Sequence, residues 1–250
     1  MSVDARSPRA LAARLLSLLD LTSLGEGDTP TQIEALCASA RAAPVLPAAL
    51  CVYPEHVTTV RRRLQGTAVK VATVVNFPDG GSDPHRVVRE TRRALAAGAD
   101  EIDLVLPYRA LQGGDVAGAR AVVRHCRTVC ADGVLLKLIL ETGELGTPGL
   151  IRAACAIGIE EGVDFLKTST GKVPINATLP AAGVMLDAIA AAGGRCGFKA
   201  AGGIRTLADA VAYLDLVEAR LDAGWSDPAR FRIGASALFG ELHTILSAPA

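Results

Sequence analysis

Short runs rich in β-forming apolar residues recur about every 30 residues along the chain, with helical patterns between them. They cover Leu18–Thr22, Ala49–Tyr53, Ala68–Asn76, Glu101–Leu106, Val134–Glu141, Val163–Ser169, Cys196–Ala200 and Phe231–Ala235. Strands this apolar, alternating with helices, predict a parallel sheet covered by helices. Eight such units in 250 residues predict a closed (β/α)8 barrel, a TIM barrel, rather than an open doubly wound sheet. No low-complexity or Pro/Gly/Ser-rich linker interrupts the pattern, so residues 1–250 are expected to form one domain.

Several helix boundaries are written in the sequence. Asp83 followed by Pro84 reads as an N-cap with proline in the first turn, and Gly98 as the terminator. Thr147 and Pro148 repeat the start signal, and Thr206 with Asp209 resembles a capping box. Leu207, Ala210, Val211, Leu214 and Val217 then form one apolar helical stripe.

Strand alternation sorts side chains into two faces. Ile102, Leu104 and Leu106 are assigned to the helix layer, leaving Glu101, Asp103 and Val105 toward the barrel interior. The same parity places Lys137 and Glu141 inward from the fifth run, Lys167 from the sixth and Lys199 from the seventh.

These lysines change the picture. Only five of the 26 basic residues are Lys, and all five (Lys70, Lys137, Lys167, Lys172, Lys199) lie in predicted strands or just past one. Arginine keeps its proton near neutral pH, whereas a buried lysine can lose it and become a nucleophile. Lowering a lysine pKa from about 10.4 to about 7 requires roughly 4–5 kcal/mol of preferential destabilisation of the ammonium. Desolvation and a neighbouring cation can supply it. Three interior lysines on consecutive strands therefore suggest amine chemistry. The bland alternative is a set of ion pairs, such as Lys137–Glu141 and Lys199–Asp103, that only satisfy the interior. Pattern alone does not rank the three.

Composition removes several function classes. The 26 basic and 26 acidic residues cancel, giving no general attraction to nucleic acid or anionic lipid. No apolar stretch is long enough for a membrane span. Six cysteines without framework spacing fit a reduced, cytoplasmic chain. Pro8–Leu19 reads as an amphipathic helix rather than a secretion signal, although its arginines could mimic a transit peptide.

Barrel active sites lie at the C-terminal strand ends, often with phosphate bound after strands seven and eight. Here the seventh run exits into Gly202, Gly203, Ile204 and Arg205, and the eighth into Gly234, Ala235 and Ser236. Gly171 and Lys172 follow the sixth. Glycines let backbone N–H groups approach an anion, so three such exits predict a phosphate site.

The segments LLDLTSL, CVYP, ATVVNFP, DEIDLVLPYRAL, LLKLILETGEL, DFLKTSTGKV, FKAAGGIRT and RIGAS, in this order, resemble the deoxyribose-phosphate aldolase family over nearly the whole length. The resemblance implies a class I aldolase that reversibly cleaves 2-deoxy-D-ribose 5-phosphate to acetaldehyde and D-glyceraldehyde 3-phosphate, without metal or other cofactor. It implies Lys167 as the Schiff-base lysine, with Lys199 and Asp103 tuning it and moving protons. Gly171, Lys172, Gly202, Gly203, Gly234 and Ser236 would hold the phosphate. Asp20, Thr22, Cys51 and Asn76 would line the sugar pocket. The partners implied are a small phosphorylated sugar and aldehydes.

Three positions depart from the family's common pattern. Ala200 stands where many members have proline, and is expected to loosen that loop slightly. Ala237 removes one hydroxyl from the phosphate site. The chain runs to Leu246–Ala250 without the terminal tyrosine some members carry, which predicts slower turnover or water in its place.

Other residues attract plainer readings. His125, Cys126 and Cys130 lack further ligands for zinc. His56, His85 and His243 are expected to face solvent, and Trp225 to anchor its loop. A carboxylate-based barrel isomerase and an inactive phosphate-ligand sensor are the competing readings; the joint presence of Asp103, Lys167 and Lys199 disfavours the sensor. A homodimer is the default assembly.

Overall fold

The computed structural model describes residues 6–130 and 133–248. Among these, the strands are β1 (Leu19–Ser23), β2 (Ala49–Val52), β3 (Lys70–Val75), β4 (Glu101–Val105), β5 (Leu135–Ile139), β6 (Phe165–Lys167), β7 (Gly197–Ala201) and β8 (Phe231–Ala235). All pair in parallel and in chain order, and β8 returns to β1 to close the barrel. The expected (β/α)8 architecture is therefore the one observed.

The helices are α1 (Pro8–Ser17), α2 (Pro30–Ala42), α3 (Val57–Arg63), α4 (Pro84–Ala96), α5 (Tyr108–Gln112), α6 (Val116–Val129), α7 (Thr142–Leu145), α8 (Pro148–Glu160), α9 (Leu179–Ala191), α10 (Leu207–Leu221) and α11 (Ala237–Ser247). The capping signals act as read. Asp83 accepts from the amides of His85 and Arg86, Thr147 from Leu150, and Thr206 with Asp209 forms a complete capping box. Thr29 and Gln32 form a second box at α2. Each cap satisfies orphan amides and contributes about 1 kcal/mol.

The main core lies between barrel and helices. Leu104, Leu138 and Leu166 point outward from neighbouring strands and are fully buried there. Each such side chain contributes roughly 1.5–3 kcal/mol. The inward parity then falls on the charged residues, and register sets them side by side. Asp103 lies opposite Lys137, Lys167 opposite Lys199, and Lys199 opposite Arg232.

Most strand ends shift by a residue or two from the expected runs, and three of the differences bear on the site. β3 stops before Asn76 and β5 before Glu141, because both residues take left-handed backbone conformations, φ 55° and 58°. β6 retains only Phe165–Lys167 of its predicted run. Ala200 is a fully buried residue inside β7, so its replacement of proline falls within the strand and not in a loop. Among the described residues no helix is long and apolar enough to cross a membrane. Of the C-terminal segment Leu246–Ala250, residues 249–250 lie outside the described residues.

Candidate active site

Lys167 ends β6 with its Nζ 2.8 Å from Asp103 Oδ2. Lys199 Nζ donates to that same oxygen at 2.8 Å and to Asp20 Oδ2 at 2.5 Å. Lys137 Nζ donates to the other Asp103 oxygen at 2.8 Å and to Glu101 Oε2 at 2.6 Å. Arg232, inward from β8, bridges Asp20 Oδ1 at 2.6 Å and Glu101 Oε1 at 3.1 Å. Its Nε also donates to the Pro228 carbonyl. Seven buried ionisable groups thus share one hydrogen-bonded network inside the barrel.

One lysine of the three reaches open space. Lys167 retains 3% side-chain exposure, against 0% for Lys137 and Lys199. It lines a cavity of about 460 Å³ at the C-terminal mouth of the barrel, a volume suited to a small ligand.

The titration behaviour follows the geometry. Burial pushes Lys167 below its ordinary value; Asp103 opposes this and Lys199 adds to it. Lys199 is also buried, but Asp103 and Asp20 outweigh that penalty and hold it above its ordinary value. Burial likewise works against charge on Lys137, and Asp103, Glu101 and Asp20 reverse it. Asp103 is desolvated yet held well below the carboxylate range by Lys137, Lys167 and Lys199. Asp20 is held down in the same way by Lys199, Arg232 and Lys137. Lys167 is therefore the lysine of this network driven toward a free amine, with its nitrogen at the cavity.

The cavity also carries in its lining the glycines and cations that the sequence marks as an anion site. Gly171, Lys172, Gly202, Gly203, Gly234 and Ser236 line it, with Thr170 and Arg205. Gly202 has φ 91°, and a Cβ there would meet the Asn176 side chain at 2.6 Å, so both backbone and space demand glycine. Helix α11 starts just after Ser236, whose side chain makes no capping bond to the first-turn amides. Lys172 Nζ donates to the Leu24 carbonyl at 2.6 Å, drawing the β1–α2 loop to the rim.

The model of the DeoC/LacD family aldolases matches residues 15–237. The chain belongs to that aldolase family. It is 47% identical over 248 residues to the deoxyribose-phosphate aldolase of Agrobacterium fabrum (strain C58 / ATCC 33970), covering 99% of this chain and 96% of that one. A crystal structure from Coccidioides immitis, provisionally named a deoxyribose-phosphate aldolase, is 32% identical with TM-score 0.80, covering 92% of this chain and 86% of that one. An apo structure from Toxoplasma gondii ME49 with the same provisional name has 26% identity and TM-score 0.89, covering 97% and 98%. Membership of the DeoC/LacD aldolases makes the chain a lyase by reaction class.

Within this aldolase, Thr22, Lys167, Gly171, Lys172, Gly202, Gly203, Gly234 and Ser236 all line the cavity. Asp103 and Lys199 lie behind Lys167 and touch its network rather than the cavity. Three expected pocket residues do not line it. Asp20, early in β1, is fully buried against Lys199 and Arg232. Cys51 packs with Leu24, Ala49, Ala72 and Val74, and burial pushes its thiol up to about 11. Asn76 spends its amide on the Gly81 and Val105 carbonyls, at 2.8 and 3.0 Å, closing the turn after β3.

The supposed Lys137–Glu141 pair does not form; Glu141 instead accepts from the Thr170 amide and hydroxyl. His56 is buried, not solvent-facing, because the short turn Pro54–His56 leading into α3 carries it inward. His85 is exposed, and His243 is half-buried. Trp225 anchors its loop, donating to the Gly194 carbonyl at 2.9 Å. Cys126 bonds with Thr91 and exposed His125 with the Ala121 carbonyl, so neither forms a metal cluster among the described residues.

Sequence reasoning missed Arg232, Thr170 and Arg205. Arg232 had a readable signal: in Phe231–Ala235 the apolar Phe231 and Ile233 take the outer face, which turns Arg232 and Gly234 inward.

Proposed function

We propose that this aldolase reversibly cleaves 2-deoxy-D-ribose 5-phosphate to acetaldehyde and D-glyceraldehyde 3-phosphate through a Schiff base on Lys167. The observation that carries the reading is that Lys167, alone among the three network lysines, lines the cavity, while burial lowers its affinity for a proton.

The free amine of Lys167 attacks C1 of the open-chain sugar, and loss of water from the carbinolamine gives a protonated imine. A base takes the C3 hydroxyl proton, the C2–C3 bond breaks, and its electron pair moves into the imine to form an enamine. Glyceraldehyde 3-phosphate leaves with the new C3 carbonyl. Protonation of the enamine at C2 and hydrolysis then release acetaldehyde and return Lys167. Asp103 and Lys199, joined at one carboxylate oxygen, are the groups nearest Lys167 for these proton transfers, with water completing the path. Gly171, Lys172, Gly202, Gly203, Gly234 and Ser236 hold the phosphate, aided by Arg205. Thr22 borders the sugar. Asp20 serves by keeping Lys199 charged. The imine is the electron sink, so no metal or other cofactor is required. The cytoplasm is the expected compartment, a homodimer the expected assembly.

The direct test is incubation with 2-deoxy-D-ribose 5-phosphate and separate assays of both aldehydes. Equal release of acetaldehyde and glyceraldehyde 3-phosphate, unaffected by a metal chelator, is expected. No cleavage, or cleavage abolished by chelation, would overturn the reading.

A further inference from the structure

The network behind Lys167 holds unequal numbers of acids and bases. Its carboxylates are Asp20, Glu101 and Asp103; its basic groups are Lys137, Lys167, Lys199 and Arg232. All are at most a few per cent exposed, so water cannot screen a surplus charge. Four positive charges against three negative leave one too many. The arrangement closes if one base is neutral.

Hydrogen bonding selects which. Arginine keeps its proton, and Arg232 is bonded to two different carboxylates. Lys137 and Lys199 also each donate to two carboxylates. Lys167 has one carboxylate bond, to an oxygen already shared with Lys199, and it alone opens to the cavity where a proton can leave. Two further titratable groups lie near Lys167 outside the hydrogen-bonded network: Cys51, which stays a thiol, and Glu141, which burial pushes above its ordinary value and which accepts from Thr170.

Resting on the Schiff-base reading, we infer that Arg232 is a positioning residue for the reaction: it supplies the fourth buried positive charge, which makes Lys167 the base the network leaves neutral. Arg232 touches neither Lys167 nor the cavity. It acts by taking the second oxygen of Asp20 and of Glu101, so that Lys199 and Lys137, each holding one oxygen there, also draw on Asp103 and leave no carboxylate to Lys167 alone. The ring of Phe165, 5.7 Å from its guanidinium, packs beside it on the inward face of β6.

The test compares pH profiles of kcat/KM and of cyanoborohydride trapping of acetaldehyde on Lys167. In Arg232→Met, three bases face three acids, Lys167 can stay charged, and the acidic limb of both profiles should move up by about one pH unit. Arg232→Lys should return the limb to the parent position. So should Arg232→Met combined with Glu101→Gln, which restores one surplus base. Glu101→Gln alone should move the limb down, which keeps the inference testable if Arg232→Met does not fold. An unmoved limb in both single variants, or Arg232→Lys behaving as Arg232→Met, overturns the inference while leaving the imine intact. A parent enzyme that traps no acetaldehyde at any pH removes the imine reading and this inference together.

Discussion

Lys167 and Lys199 donate to a single oxygen of Asp103, Oδ2, each at 2.8 Å. One carboxylate oxygen cannot fully compensate two buried ammonium groups, and Lys199 has Asp20 as well. The sharing therefore resolves in favour of charge on Lys199 and a free amine on Lys167.

Lys199→Met removes the competitor for Asp103 Oδ2 and gives that oxygen to Lys167. The proton on Lys167 is then harder to remove, so the acidic limb of kcat/KM should shift to higher pH. Loss of a proton-transfer group should also lower kcat by about 10²–10⁴-fold. A variant with unchanged pH profile would show that Lys199 does not tune Lys167.

Asp20 and Asp103 predict an acid-labile core. Both carboxyls lie below their ordinary value of 3.8 in the folded chain. As pH falls past that value the unfolded chain takes up protons first, so their stabilisation is complete above it and lost progressively below. Unfolding free energy, followed by urea titration, should decline progressively as pH is lowered from about 5 to about 2. Asp103→Asn, which leaves three lysines short of a carboxylate, should cost about 3–5 kcal/mol near neutral pH and flatten the acid decline. An equally steep decline in the variant would place the titrating groups elsewhere.

Lys172 and Arg205 flank the glycine-lined end of the cavity. Lys172→Ala and Arg205→Ala should each raise KM for the phosphorylated sugar by about tenfold, equivalent to about 1.4 kcal/mol of lost contact. Kinetics with unphosphorylated 2-deoxyribose should change little. Equal losses on both sugars would indicate loop collapse rather than lost phosphate binding, since Lys172 also holds the Leu24 carbonyl.

Much of this site was legible because alternation is a strict rule within a strand. Glu101, Asp103, Lys137, Lys167 and Lys199 all fall on the inward face that parity assigned them. Parity says nothing about height along the barrel axis, however, which depends on the stagger of neighbouring strands. Asp20 therefore sits deep in the network instead of at the rim. Parity also ends where the backbone turns left-handed, so it gives no reliable partner for Glu141, nor a pocket position for Asn76. Arg232 was overlooked for a different reason. Most basic residues in this chain are arginines, so Arg232 is marked only by the parity of Phe231–Ala235 and not by its residue type.

The central claim, an imine on Lys167, is tested most directly by borohydride reduction in the presence of acetaldehyde, followed by peptide mass mapping. A single ethyl group on Lys167 is predicted, with Lys137, Lys172 and Lys199 unmodified and activity lost in proportion to labelling. Labelling of another lysine, or full activity after Lys167 is labelled, would contradict it.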